Sequence, residues 1–173
     1  AGSELIGICG GFQMLGCQVQ DPDHVEAMVD AAEGLGFFSG VTTFRAEKLV
    51  AQIRGVHLES GLPISGYEIH MGHMSREPGA VVVMKITHRG AAPTESYDGL
   101  SSSDPLVWGT HVHGIFDEDR FRAWWLGRAR HHRGLSVPPR AGIVNGHANE
   151  DRYDRLAQAV RRHLAMDKIY AML

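Results

Sequence analysis

The chain is poor in cysteine, holding Cys9 and Cys17 alone. Both lie too near the start to staple a domain of 173 residues, so they read as thiols in a reducing compartment, and the cytoplasm is the expected location. No apolar run approaches the roughly 20 residues needed to span a bilayer. Ala1-Gly2-Ser3-Glu4 leads straight into an apolar stretch, so no cleaved leader is expected. Neither charge dominates: 17 Lys and Arg against 20 Asp and Glu give a net charge of −3, which points to no nucleic-acid or membrane surface. Repeats and low-complexity tracts are absent. So are the HExxH and CxxC spacings of zinc sites, and the 11 histidines carry no metal expectation. What remains is 43% hydrophobic and 21% charged, the composition of one globular domain or one piece of a larger protein.

Hydrophobic periodicity gives a coarse map. Leu5-Ile6-Gly7-Ile8 reads as a short buried strand, followed by a short helix with Phe12 and Leu15 inward. Residues 25–32 read as helix, 41–58 as one or two strands, 64–74 and 80–88 as strands, and 106–116 as a strand ending in a loop. The stretch 90–105, "GAAPTESYDGLSSSDP", is rich in turn formers and is predicted to be a loop, with Asp98-Gly99 a turn signal. Asp117 is predicted to cap a helix stopped by Gly134, and Asn149 or Asp151 to start a last helix with Tyr153, Leu156, Ala157, Val160 and Leu164 on one face. Residues 135–150 read as a linker. Strands mixed with helices imply an α/β layered fold.

One stretch carries chemistry. In "IGICGGFQMLG", residues 6–16, a cysteine sits between glycines where a strand gives way to a helix. Strand, sharp turn, nucleophile and helix form the logic of a nucleophile elbow. The backbone N–H groups of Gly10 and Gly11 then point where an oxyanion would form, and the helix N-terminus is expected to favour thiolate at Cys9. A cysteine buried in a glycine-rich turn would look the same, so a second element must decide. Cys17 lacks this setting and reads as a small core residue. The second element is "GTHVHGIFD", residues 109–117. A cysteine nucleophile needs a base nearby in space, usually histidine. His113 ends an apolar strand before a glycine, and His111, two residues earlier, faces the same side.

Three blocks, "GICGGFQMLG", "GYEIHMG" and "GTHVHGIFDEDRFR", with the closing "LAQAVRRHLAMDKIY", resemble the glutamine amidotransferase domain of the cobyric acid synthase family. The likeness runs over nearly the whole chain and implies a class I glutamine amidotransferase-like, flavodoxin-like layered sheet with flanking helices. It implies Cys9 as nucleophile, His113 as general base and acid, Gly10 as oxyanion donor and Gln13 as a contact for substrate glutamine. Ammonia would pass to a synthetase domain that amidates corrin carboxylates with ATP and magnesium; no cofactor is implied in this chain. Many class I relatives carry a glutamate two residues after the histidine, where this chain has Ile115, so a Cys–His dyad is expected. Glu68, inside "GYEIHMG", is the candidate for orienting the histidine or contacting substrate; its plainer reading is a strand residue bonded to a neighbouring loop.

The likeness also implies strands and an ATP-using domain upstream of residue 1. Residues 1–173 are therefore expected to be a partial domain that packs on its own upstream region and is a poor glutaminase alone. An amidotransferase subunit of a cell-wall (lipid II) ligase, and an inactive binding module, are the rival readings.

Overall fold

The computed structural model describes residues 3–136 and 147–172, which divide between two compact units, Ala1–Pro138 and Pro139–Leu173. The first unit is an eight-stranded mixed sheet with helices on its faces. Its strands are β1 (Leu5–Ile8), β2 (Gln18–Gln20), β3 (Ala31–Glu33), β4 (Val41–His57), β5 (Pro63–Met74), β6 (Val81–Arg89), β7 (Ala92–Ser101) and β8 (Val107–Thr110). Their order is β1-β8-β7-β6-β4-β2-β3, with β5 on β4. β1 runs parallel to β8, and among the described strands β8 is its one neighbour. The mixed α/β layered sheet agrees with the fold class the sequence implies.

Two helices flank the sheet: α1 (Gly10–Leu15) and α2 (Asp119–His132). Phe12 and Leu15 of α1 pack with Phe38, Leu100 and Val107. Phe121 of α2 packs with Ile53, Met84, Ile86, Trp108 and Val112. Val107 and Trp108 are neighbours on β8 and feed different clusters, so α1 and α2 cover opposite faces. Gly134, at φ +64°, follows the end of α2 as expected. The helix begins two residues after Asp117, which instead closes a 3₁₀ turn at Ile115–Asp117.

Several sequence expectations are corrected. Residues 25–32 form no helix: the Asp21 carboxylate accepts the N–H groups of Val25, Glu26 and Ala27 and ties them into a loop, and β3 follows. Of the one or two strands expected over residues 41–58, the structure has one, β4, so that expectation holds. The predicted loop 90–105 is mostly β7. The chain reverses at its two ends: before β7, where His88 pairs Pro93 and Arg89 pairs Ala92 around Gly90, at φ +59°, and after it, where Ser102 and Asp104 bond within a turn. Cys17 is exposed rather than in the core.

In the second unit, α3 (His147–His163) starts before the expected Asn149, and α4 (Met166–Tyr170) follows. Tyr153, Leu156, Val160 and Leu164 share one face and are exposed. Of the expected linker, residues 137–146 lie outside the described residues.

His57, 4% exposed, sits among Phe121, Trp124 and Trp108 and accepts the Ser60 N–H at Nδ1. Burial and the Arg128 cation lower its pKa from 6.5 to about 4. Between those values the unfolded chain binds a proton that the folded chain does not, so stability falls as pH drops from 6.5 toward 4. From pH 7 to pH 5 this residue is expected to remove about 2 kcal/mol. Urea denaturation at both pH values reads the loss, and His57→Gln is expected to shrink it.

Candidate active site

Cys9 caps α1 at the end of β1, with φ 52° and ψ −112°. That left-handed backbone is costly for a residue with a Cβ. It is held by bonds on both sides: the Cys9 N–H donates to the Thr110 carbonyl at 2.8 Å, and the Gln13 N–H donates to the Cys9 carbonyl at 3.0 Å. Gly7 lets α1 fold back onto β1, because a Cβ there would lie 2.7 Å from the Phe12 backbone. Gly10 is exposed, and a Cβ on Gly10 or Gly11 would meet nothing within 4 Å, so space is open beside the turn.

The Cys9 thiol donates to the Ile69 carbonyl of β5, Sγ···O 3.7 Å. Two residues back on β5, Tyr67 bridges His113: the His113 N–H donates to the Tyr67 carbonyl at 2.8 Å and the Tyr67 N–H to the His113 carbonyl at 3.1 Å. The two rings stack, 4.9 Å apart and 6° from parallel. Cys9 and His113 therefore dock on one stretch of β5. The His113 Nε2 is buried and finds no hydrogen-bond partner among the described residues.

The expected thiolate bias at Cys9 is reversed. Burial pushes the thiol pKa up, a backbone bond from Gly10 acts against this, and the Asp98 charge adds to the rise. The resting group is a thiol, so attack requires a base to remove its proton.

Glu68 does not orient His113. It is 1% exposed and forms a forked ion pair with Arg89, Nε···Oε2 2.8 Å and Nη2···Oε1 3.2 Å. Alternation along β5 turns it to the face opposite Tyr67. There it lines a cavity of about 350 Å³ with Phe12, His70, Arg89, Asp98 and His111. Gln13 is 7% exposed, its amide pressed toward Gly72, where a Cβ would stand 2.6 Å from Nε2.

His111 takes a different setting from His113. It is 4% exposed, its Nδ1 lies 2.8 Å from Asp98 Oδ1, and its ring stacks on His70 with centroids 4.1 Å apart. Burial alone would raise the Asp98 pKa, but the bonds from His111 and Thr110 outweigh it and hold the carboxyl below its ordinary value. Sequence reasoning missed Asp98, Thr110, Tyr67 and Arg89; each acts through a partner distant in the chain, and no spacing announces that. Among the described residues no three His, Cys, Asp or Glu side chains gather as metal ligands.

Comparison with known proteins adds the following. A family model described as CobB/CobQ-like glutamine amidotransferase domain matches residues 1–121. A cobyric acid synthase of Pelotomaculum thermopropionicum is 42% identical over 184 residues, covering 99% of this chain and 35% of that protein. A cobyric acid synthase of Moorella thermoacetica is 39% identical over 181 residues, covering 99% of this chain and 34% of that protein. One from Klebsiella pneumoniae (strain 342) is 39% identical over 178 residues, covering 98% and 34%. The chain thus spans about a third of the length of these curated relatives.

Proposed function

The chain belongs to the CobB/CobQ-like glutamine amidotransferase domain family, and from that premise we propose that it hydrolyses glutamine at Cys9 and His113 to supply ammonia for amidation of corrin carboxylates in cobalamin biosynthesis. The observation that carries the reading is the shared docking of both side chains on β5, through Ile69 and Tyr67. His113 takes the thiol proton as the Cys9 sulfur attacks the side-chain carboxamide carbon. The Gly10 N–H receives the oxyanion. The C–N bond breaks, His113 returns the proton to nitrogen, and ammonia leaves behind a γ-glutamyl thioester. Water then attacks the thioester, giving a proton to His113; the C–S bond breaks, glutamate leaves and the thiol is restored. Gln13 contacts the substrate amino acid.

The acceptor step belongs to a synthetase region of the longer protein, where ATP and magnesium activate a carboxylate of adenosylcobyrinic acid a,c-diamide on the way to cobyric acid. No step above uses them. Among the described strands β1 pairs on one side alone, its other side is where further strands of that longer protein would add, and this chain is a poor glutaminase until they do.

The test is glutamine-dependent, ATP-dependent amidation by the upstream-extended protein. Amide formation on the corrin acceptor supports the reading. Glutamate release coupled instead to a lipid-linked cell-wall acceptor moves the assignment to the cell-wall ligases, and no glutamate release by either form refutes it.

A further inference from the structure

The Asp98 carboxylate is buried on β7 and accepts three hydrogen bonds, all from two consecutive residues. Thr110 Oγ1–H donates to Oδ2 at 2.5 Å, the His111 N–H to Oδ2 at 2.9 Å, and His111 Nδ1 to Oδ1 at 2.8 Å. Thr110 passes the constraint on in both directions. Its carbonyl accepts the Cys9 N–H at 2.8 Å. Its hydroxyl oxygen accepts the Val112 N–H at 3.0 Å, one residue before His113. One carboxylate therefore braces the backbone that carries the nucleophile and the backbone that carries the base. The brace explains why Asp98 sits within a strand and not at the turn that Asp-Gly suggests: Gly99, at φ +77°, leaves the room that a Cβ 2.6 Å from the Gly109 carbonyl would close.

We propose that Asp98 is a positioning residue for the Cys9–His113 pair, acting through Thr110 and His111 to fix their separation. It touches neither substrate nor the reacting atoms. An ionised carboxylate accepts and does not donate, so the proton of the His111–Asp98 bond stays on Nδ1, and His111 keeps one tautomer. The charge acts as well as the geometry. Around Cys9, Glu68 on β5 is neutralised by Arg89 on β6, burial holds His70 on β5 neutral, and His111 and His113 follow β8; Asp98 is the acid whose field raises the thiol. The catalytic role rests on the glutaminase reading; the link from Asp98 to the Cys9 thiol does not.

The test is Asp98→Asn, of nearly the same shape, in a Cys17→Ser background so that iodoacetamide reports Cys9 alone. Thermal denaturation establishes the folded fraction. In folded protein the alkylation profile of Cys9 is expected to move to lower pH. Histidine ¹⁵N spectra are expected to show His111 shifting its proton from Nδ1 to Nε2. In the upstream-extended protein, kcat for glutamate release is expected to fall on the order of 100-fold with KM little changed, as for a misplaced pair. An alkylation profile identical to that of the parent, or an unchanged kcat per folded molecule, overturns the proposal. A shifted alkylation profile in a protein whose parent releases no glutamate upholds the link to Cys9 and refutes the glutaminase reading instead.

Discussion

Replacing Cys9 with alanine is expected to lower glutamate release from glutamine on the order of ten-thousand-fold, because removing the nucleophile abolishes the thioester route as a whole. His113→Ala is expected to lose on the order of a thousand-fold, the usual scale of general acid–base assistance. The two losses will not add in the double variant, since the residues act as one unit. Stability will move the other way at the nucleophile. Cys9 holds a left-handed backbone at φ 52°, so Cys9→Gly is expected to gain about 1 kcal/mol while losing all activity. Steady-state assay and urea denaturation on the same preparations read both effects. A Cys9→Gly protein that is strongly destabilised would contradict strain at the elbow.

The second large effect is expected at Gly66→Ala. A Cβ at Gly66 would lie 2.1 Å from the His113 carbonyl oxygen and 2.9 Å from Val112 Cγ1. The nearer obstacle is backbone, so no rotamer change relieves it. β5 must lift from the His113 segment, opening the Tyr67–His113 bridge and moving the histidine away from the Cys9 contact at Ile69. Loss of about 3 kcal/mol or more is expected, together with most of the activity. Gly11→Ala is the control. It lies inside α1 with nothing within 4 Å of the added methyl, so it is expected to keep or raise stability. Equal losses at the two positions would sink this account of why "SGYEIHMG" needs its first glycine.

These positions also separate what the sequence makes legible from what it hides. The elbow at Cys9 could be read because its signal is local: an apolar strand, small residues and a helix stand within a dozen positions. His113 was expected to end a strand over residues 106–116, but β8 closes at Thr110 and His113 lies three residues beyond it, held by its bridge to Tyr67. β7 could not be read, since "GAAPTESYDGLSSSDP" has the composition of a loop, and only pairing with β6 and β8 makes it a strand. Asp98 was hidden with it. Its partners lie 12 and 13 residues away on β8 and in the segment after it, and nothing in a linear pattern distinguishes a buried brace from a turn aspartate. Glu68 shows the opposite error. Its place inside a family block suggested a role at His113, but strand alternation and Arg89 claim it for the other face. The expected thiolate at Cys9 failed because the burial of the thiol, and after it the charge of Asp98, depend on tertiary packing, while the short helix could be seen in the sequence.

The measurement that tests the central claim most directly is labelling with 6-diazo-5-oxo-norleucine, a glutamine analogue that alkylates such nucleophiles, read by intact mass and peptide mapping on this chain and on an upstream-extended form. The account predicts a single adduct on the peptide carrying Cys9, absent in Cys9→Ser, strongly reduced in His113→Ala, and much stronger in the extended form. No adduct in either form, with iodoacetamide still reaching Cys9, would contradict it and leave a binding module in its place.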